Sequence, residues 1–182
     1  MTAMEAKIVF TGPPNSGKTT AIAALSDTPP VVTDVSNHDG TLAKTRTTVG
    51  MDYGVVSLGG SEQVRLFGTP GQKRFDFMWR ILVRNAIGIA ILIDNSQDDP
   101  LSQLREFAES LAEPLRTTSC VIGVGRTESH PAPALEDFAD LMAGLGHVFP
   151  VVAVDVRQRD DVLMLVELLL AQTEARETME LE

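Results

Sequence analysis

The sequence predicts an α/β fold: a three-layer α/β/α sandwich around a six-stranded, mostly parallel sheet. Short apolar runs recur along the 182 residues, and segments with helical periodicity separate them. A glycine-containing loop joins the first apolar run to the first helical segment, which is the order expected for a strand, a loop and a helix.

Six short segments have the length and composition of strands. The runs Ile87–Ile93 and Cys120–Val124 are continuously apolar, as expected for central strands covered on both faces. Gly59-Gly60 separates two other segments and is a hairpin signal. The predicted strands are Lys7–Thr11, Met51–Leu58, Gln63–Phe67, Ile87–Asp94, Cys120–Val124 and Val151–Asp155.

Helices are predicted between these strands and after the last one. Pro100 suits a first helical turn, and Asp98-Asp99 before it is interpreted as a solvated helix cap. The predicted starts are Gly17, near Arg74, Pro100, near Ala134 and near Asp160. Residues 1–182 are expected to form one domain, with about the last eight residues frayed.

Composition and charge exclude several classes of function. The formal net charge of -10 argues against nonspecific nucleic-acid binding and against adhesion to anionic lipid. One cysteine and three scattered histidines cannot build a disulfide framework or a zinc cluster. No signal peptide, membrane span or lipidation motif is recognised, so the protein is expected in the cytoplasm without direct membrane insertion.

The strongest motif is the loop from Gly12 to Thr19, which matches G-x-x-x-x-G-K-[ST] at every specified position. Such a P-loop points backbone amides at a polyphosphate, its lysine reaches the β- and γ-phosphates, and its last hydroxyl binds Mg²⁺. The loop and helix residues expected to contact a nucleotide are Pro14, Asn15, Ser16, Gly17, Lys18, Thr19 and Thr20.

Two further signals narrow the class of P-loop protein. Gly71-Gln72 follows the third predicted strand, where small GTPases carry a glycine that senses the γ-phosphate and a glutamine that orients water. Thr48-Val49-Gly50 resembles a switch threonine that enters an edge strand.

With these residues, the chain resembles the MglA-like bacterial small GTPases, and most closely the group encoded beside roadblock-type proteins in conservons. The stretches that carry this resemblance are Lys44–Gly54, Leu66–Trp79 and Val154–Arg157. The resemblance implies a Ras-like fold that binds GTP or GDP with Mg²⁺. It also implies a roadblock-type regulator and segments, Asp39–Thr48 and Gly71–Trp79, that the triphosphate orders.

The P-loop motif assigns roles to Lys18 and Thr19, the resemblance assigns roles to Gln72 and Thr48, and Arg46 and Arg74 are candidates by their places next to Thr48 and Gln72. Gln72 would position the attacking water, Lys18 would stabilise charge, and Thr19 and Thr48 would bind Mg²⁺. Arg46 is a candidate arginine finger in cis, with Arg74 as a second candidate; the alternative for each is a mobile, solvated arginine. The absence of an unambiguous finger predicts slow hydrolysis that a partner stimulates.

The first departure from the family pattern is Gly68, which stands where most small GTPases have an aspartate near Mg²⁺. We take Asp52, on the adjacent predicted strand, as a substitute carboxylate. The alternative is that Asp52 is an exposed polar residue of an edge strand.

The second departure is the base-recognition segment, which follows the fifth predicted strand. The family's N-K-x-D is replaced by Gly125-Arg126-Thr127-Glu128. Glu128 would accept hydrogen bonds from guanine, Arg126 would lie along the base, and the Val156 amide would face guanine O6. Gly125 supplies no side-chain amide, so relaxed GTP/ATP specificity stays open, as does a plain surface loop.

The segment after Gln72 is rich in large apolar residues. About half of them are expected to pack on the sheet and the rest to form an apolar surface for signalling partners. These residues are Phe75, Phe77, Met78, Trp79 and Leu82.

The sequence therefore predicts a GTP/GDP-dependent signalling switch with slow, partner-stimulated GTP hydrolysis. One alternative is a catalytically weak or inactive nucleotide-binding scaffold, which the departures at Gly68 and Gly125 motivate. A P-loop kinase is a second alternative, but Thr127–Ala134, the only lid-like segment, carries no arginine.

Overall fold

The computed structural model describes residues 6–36 and 48–181. The described residues form one sheet of seven strands in the order β2-β3-β4-β1-β5-β6-β7. The strands are β1 (Ala6–Thr11), β2 (Val31–Ser36), β3 (Thr48–Gly59), β4 (Glu62–Gly68), β5 (Gly88–Asp94), β6 (Ser119–Gly125) and β7 (Val151–Ala153).

The sheet is parallel from β4 to β7, whereas β2 and β3 join it antiparallel. The hairpin of β3 and β4 turns at Gly59 and Gly60, which both have positive φ, and its register places Asp52 opposite Gly68. The predicted hairpin is therefore confirmed, and its register decides which side chains of the two strands meet.

Five α-helices cover the sheet in the described part of the chain. Two 3₁₀ turns, Lys73–Phe75 and Pro114–Arg116, accompany them. The helices are α1 (Lys18–Leu25), α2 (Asp76–Leu82), α3 (Pro100–Ser110), α4 (Leu135–Gly144) and α5 (Arg159–Glu180).

The side chains form two apolar cores, one on each face of the sheet. Along β1, Ile8 and Phe10 point to the core shared with α1 and α5, while Val9 points to the core shared with α2, α3 and α4. Strand β5 is buried at all seven positions because both faces are covered. The predicted three-layer sandwich is confirmed.

All six predicted strands are present, and β2 is a seventh strand that the sequence analysis did not expect. Val31–Ser36 lies at the sheet edge and pairs only with β3 among the described strands. Asp99 caps α3 by accepting a hydrogen bond from the Ser102 amide at 3.1 Å, as predicted.

Helix α5 continues to Glu180, so much of the end that was expected to fray is helical. The fraying itself stays a prediction. No helix among residues 6–36 and 48–181 has the length and apolar content to cross a membrane.

Candidate nucleotide site

The loop between β1 and α1 has the curvature of a phosphate cradle. Gly12, Asn15 and Gly17 have φ values of 145°, 62° and 100°, which turn the chain around a concave backbone surface. A Cβ on Gly17 would lie 2.7 Å from Cγ2 of Val156, so only glycine fits there. Helix α1 then begins at Lys18 and directs its amino end at the cradle.

Lys18 closes the loop with its own ammonium group. Its Nζ donates to the carbonyl oxygens of Gly12 at 2.7 Å and Pro13 at 2.6 Å. Burial lowers the pKa of Lys18 to about 8, although the charge of Asp52 opposes the shift. The ammonium group is therefore poorly solvated, which strengthens its attraction to an anionic phosphate.

Asp52 occupies the place beside Gly68. It is 6% exposed, and its Oδ2 accepts a hydrogen bond from the Thr19 hydroxyl at 2.6 Å. A Cβ on Gly68 would lie 3.1 Å from both Cβ and Oδ2 of Asp52, so the Asp52 carboxylate fills the space that a side chain at residue 68 would need. The alternative of an exposed polar residue at Asp52 is thereby wrong.

The segment after β4 is attached tightly to the phosphate loop. A Cβ on Gly71 would collide with the Pro13–Pro14 backbone, so Gly71 lies directly against the loop. The preceding Thr69 is held by two hydrogen bonds: its amide donates to the Phe10 carbonyl at 3.0 Å, and its hydroxyl shares a hydrogen bond of 2.8 Å with that of Thr11.

Trp79 of α2 holds this segment from the other side. Its indole Nε1 donates to the Pro70 carbonyl at 2.5 Å, and its ring stacks on Phe107 with centroids 3.9 Å apart. Trp79 is fully buried, whereas Phe77 and Ile81 are 53% and 54% exposed one helical turn apart. Of the five apolar residues named from the sequence, Trp79 is buried, Phe77 is exposed, and the other three are half-buried.

The other residues predicted near the phosphates have side chains that are either exposed or outside the described part of the chain. Gln72 is exposed at the start of the first 3₁₀ turn, and the Arg74 guanidinium lies 4.8 Å from the centroid of the Phe75 ring. Arg46 lies outside the described residues. Thr48 is described only as the first residue of β3, and its side chain is outside the description.

A cavity of about 450 Å³ opens beside the phosphate loop, at the carboxyl ends of β5 and β6. Sequence-predicted residues from three separate segments line it together: Asn15, Ser16, Gly17, Thr20, Arg126, Glu128 and Val156. Pro14, Lys18, Thr19, Gly71 and Gln72 are not among the residues that line this cavity.

The orientation of Arg126 depends on Asp94, which the sequence analysis did not single out. Arg126 has a left-handed backbone (φ 61°), and its Nε lies 3.3 Å from Asp94 Oδ2. Burial raises the pKa of Asp94, but hydrogen bonds from Ser96 and the charge of Arg126 outweigh it, so the pKa lies below its usual value. Asp94 is therefore an anion at neutral pH that can hold Arg126 at the cavity.

The loop after β7 forms the opposite wall. Arg157 makes hydrogen bonds to both carboxylate oxygens of Asp155, at 2.9 and 2.7 Å, and these bonds lower the pKa of Asp155 to about 2. The Asp161 carboxylate accepts from the Asp155 amide at 2.8 Å. These contacts hold Val156 between them, next to Gly17.

Asn95 braces the segment that carries Glu128. It is 3% exposed, and its Nδ2 donates to the carbonyl oxygens of His130 at 2.6 Å and Pro133 at 3.0 Å. Glu128 itself is exposed at the cavity rim. Asp94 and Asn95 could have been found from the sequence, because they are polar residues directly at the carboxyl end of a continuously apolar strand, where α/β proteins bind ligands.

The oxygen atoms of Thr19 and Asp52 fit a divalent cation of the Mg²⁺ type. Their 2.6 Å hydrogen bond shows that a hydroxyl and a carboxylate, the ligand types Mg²⁺ prefers, converge on one point. No group of three or more His, Cys, Asp or Glu side chains could hold a metal among the described residues. Phosphate oxygens would therefore have to complete the coordination, as is usual for Mg²⁺ at nucleotides.

Comparison with known families gives one extensive match. A family model described as 50S ribosome-binding GTPase matches residues 7–124, which is more than half of the chain. The match includes the phosphate loop, Asp52, Gly71, strand β5 and all but the last residue of β6.

A curated relative is similar over part of its length. An uncharacterised protein of Methanocaldococcus jannaschii is 30% identical over 93 residues, which are 51% of this chain and 53% of the relative. The chain thus spans about half the length of the curated relative that it matches.

Solved structures share the fold at lower identity. The Arl6 BBS3 small GTPase of Trypanosoma brucei, with the bound nucleotide analogue GppNp, gives a TM-score of 0.69 at 19% identity, over 94% of this chain and 99% of that one. The cytosolic domain of the T. maritima FeoB iron transporter in its GDP form gives 0.65 at 19% identity, over 95% and 65%. These likenesses confirm the predicted Ras-like fold.

Proposed function

The chain belongs to the GTPase family whose model it matches, and on that premise we propose that it is a GTP/GDP-dependent signalling switch with slow, partner-stimulated hydrolysis. The observation that carries the proposal is the convergence of Lys18, Thr19 and Asp52 at the mouth of the phosphate loop. That arrangement supplies a cation for the phosphates and two oxygen ligands for their counterion.

Lys18 would exchange its two loop carbonyl acceptors for phosphate oxygens. The exchange is favourable because a charged acceptor makes a stronger hydrogen bond to an ammonium group than a neutral carbonyl does. The amides of the loop and the amino end of α1 would bind the remaining phosphate oxygens.

Thr19 and Asp52 would hold Mg²⁺, with Thr48 as a third candidate ligand. When bound, Mg²⁺ neutralises the charge of the phosphate oxygens. In this proposal, Asp52 takes over the task of the aspartate that is missing at Gly68, because its carboxylate already lies in that space. Mg²⁺ affinity should then depend on strand β3 rather than on the end of β4.

The base would occupy the cavity between Arg126 and Val156. Glu128 would accept hydrogen bonds from the ring N–H and the exocyclic amine of guanine, which adenine cannot donate together. The Asp94 carboxylate would orient the Arg126 guanidinium along the base face. Glu128 is exposed and Gly125 has no side-chain amide to contact the base. The proposal therefore includes relaxed GTP/ATP specificity as an alternative to strict guanine recognition.

Hydrolysis would use Gln72 to position water and Lys18 to stabilise charge, with Arg46 as the candidate finger and Gly71 as the γ-phosphate sensor. Gly71 packs directly on the Pro13–Pro14 backbone, and this contact supports a coupling between the γ-phosphate and the segment Gly71–Trp79. The exposed Phe77 and Ile81 would report that change to a partner.

The finer assignment is to MglA-like GTPases of the conservon type, and it rests on Lys44–Gly54, Leu66–Trp79 and Val154–Arg157. It supplies the roadblock-type protein as the proposed activator. A cytoplasmic location is part of the same proposal, as is a lack of nucleic-acid partners, which the net charge of -10 supports.

The second candidate function is an inactive or weakly active nucleotide-binding scaffold. The exposed position of Gln72 and the absence of a side chain at Gly68 favour it. The two functions differ in whether GTP is consumed, and they agree on nucleotide binding.

Phosphate release from GTP is the test that separates them. Phosphate release by the purified protein would be followed over many hours, alone and with a roadblock-type protein, against a Gln72→Leu variant as the matched control. The switch predicts slow release that the partner accelerates and that Gln72→Leu abolishes. Equal background release from both proteins, with and without the partner, would identify the scaffold.

A further inference from the structure

A second pocket of about 450 Å³ lies at the opposite end of the sheet from the nucleotide site. It is an open depression lined by residues of the 3₁₀ turn Pro114–Arg116, the segment 145–149 that follows α4, and Arg176 of α5. These segments adjoin the amino ends of β6 and β7, whereas the nucleotide cavity adjoins their carboxyl ends. A seven-residue strand separates the two, which is about 20 Å at the usual rise per residue.

The pocket is cationic in an otherwise acidic protein. Arg116, His147 and Arg176 line it, and no Asp or Glu does, although the chain has a formal net charge of -10. In the described part of the chain, neither arginine forms an ion pair; the acidic residues nearest in sequence, Glu113 and Glu177, are exposed. Arg176 is half-buried and Arg116 is exposed, so both guanidinium groups are open to an anionic ligand from the pocket.

Arg176 of α5 is half-buried and lines the pocket. Burial raises the pKa of the Cys120 thiol at the start of β6, and the positive charge of Arg176 opposes that rise. The side chain is only partly exposed. Its position is therefore that of a group lining a pocket.

The remaining walls are apolar. Leu115 is 1% exposed, and the half-buried His147 and Phe149 rings stack with centroids 5.5 Å apart. Gly146, with φ 88°, lies two residues beyond α4 and turns the chain before the two rings, while Val148 between them is 91% exposed. A cavity of this size fits a small organic ligand.

We propose that this pocket binds an organic anion, with its carboxylate, phosphate or sulfonate between Arg116 and Arg176 and its apolar body against Phe149 and Leu115. Guanidinium groups match such oxyanions in shape and charge, and the apolar wall adds affinity that an inorganic ion cannot gain. The site is independent of the nucleotide site, so the proposal stands apart from GTP binding.

The probe for this site is 8-anilinonaphthalene-1-sulfonate, which joins a sulfonate to an aromatic body and fluoresces when it leaves water. We expect one molecule to bind per chain, with affinity reduced at least tenfold in the Arg116→Gln/Arg176→Gln double variant. Arg105→Gln, an exposed arginine on α3, is the matched control and should bind as the wild type does. Saturating GDP with Mg²⁺ should leave the signal unchanged.

A second variant covers the case in which the double variant fails to fold, as judged by its thermal melt. Val148→Asp changes a 91% exposed residue at the rim, so it should fold normally and yet repel the probe. The proposal is overturned if the wild type does not bind the probe, if neither variant weakens binding, or if GDP displaces it. Displacement by inorganic phosphate as effective as that by an aromatic sulfonate would also overturn it, because the apolar wall would then contribute nothing.

Discussion

At the scale of single residues, Lys18 is the group whose chemistry the fold changes most. The surrounding loop lowers its pKa from 10.5 to about 8 by burial, and two backbone carbonyls hold its ammonium group in place. A phosphate would restore the charged form, because an anion favours the protonated lysine. Nucleotide binding is thus expected to be linked to one proton.

The first prediction concerns this linkage. Above pH 8 the free protein has lost the Lys18 proton and must take it up again on binding GDP, so the affinity should fall with pH, approaching tenfold per pH unit. Isothermal titration in buffers of different ionisation enthalpy would measure the proton uptake. A Lys18→Met variant, which has no proton to gain, should show no such dependence, and a wild type with pH-independent affinity from 8 to 10 would contradict the argument.

Stability should move in the opposite direction with pH. The folded, nucleotide-free protein releases the Lys18 proton near pH 8, whereas the unfolded chain keeps it to about pH 10.5. The unfolded state therefore binds more protons in this window, and the free energy of unfolding should rise with pH there relative to Lys18→Met.

The second prediction concerns Asp52 and Gly68. Asp52→Asn should weaken Mg²⁺-dependent nucleotide binding at least tenfold, because the amide supplies no charge beside Thr19. Gly68→Asp alone should not help, since its Cβ would crowd Ile22 and Asp52 at 3.0 and 3.1 Å and bring two carboxylates together. The exchange Asp52→Gly/Gly68→Asp should restore Mg²⁺ dependence; failure of the exchange, or unchanged Mg²⁺ affinity in Asp52→Asn, would count against Asp52.

The third prediction concerns base recognition at Gly125. A Cβ there would meet only the Ile93 and Val154 carbonyls, at 3.7 Å, so Gly125→Asn fits without strain. One added hydrogen bond contributes about 0.5–1.5 kcal/mol, so the preference for GDP over ADP should increase roughly three- to tenfold. Gly144→Asn on α4, which has open space around it, is the matched control. An unchanged preference would place the base elsewhere.

At the scale of elements, α2 connects the phosphate loop with the core under α3. Trp79 bonds Pro70 and stacks on Phe107, while Phe77 and Ile81 of the same helix face solvent. The helix thus has one face that is bound to the core and another that a partner could cover.

The fourth prediction follows from that arrangement. Trp79→Phe leaves the buried Pro70 carbonyl without its donor, which should destabilise the protein by about 1–3 kcal/mol. Urea unfolding followed by circular dichroism measures this, since the variant has no tryptophan. Phe77→Ala on the exposed face should change the free energy of unfolding by less than about 0.5 kcal/mol. Equal effects of the two substitutions would show that the hydrogen bond from Trp79 to Pro70 does not stabilise the protein.

Elements also mark the limit of what the sequence predicts. Strands β5 and β6 were predicted because their apolar runs report burial on both faces. Strand β2 was not, because Val31–Ser36 is a short edge segment whose pairing with β3 depends on a partner distant in sequence. The role of Asp52 could likewise be no more than a hypothesis from the sequence. The pairing register of β3 and β4 decides which residue Asp52 faces, and the sequence alone does not give that register.

At the scale of the whole molecule, the fold places two pockets at opposite ends of one sheet. The carboxyl ends of the central strands gather the phosphate loop, Asp94 and Arg126, and this gathering follows from strand order and motif position. The pocket of Arg116, His147 and Arg176 could not be predicted, because its three walls come from segments without any shared motif.

The measurement that tests the central claim most directly is a titration of nucleotide-stripped protein with fluorescent GDP, a non-hydrolysable GTP analogue and the matching ATP analogue, each with Mg²⁺ and with a chelator. A GTP/GDP switch predicts that both guanine nucleotides bind at least tenfold more tightly than the ATP analogue, about 1.4 kcal/mol, and that Mg²⁺ tightens them. Equal binding of the ATP analogue, or no binding of any nucleotide, would contradict it.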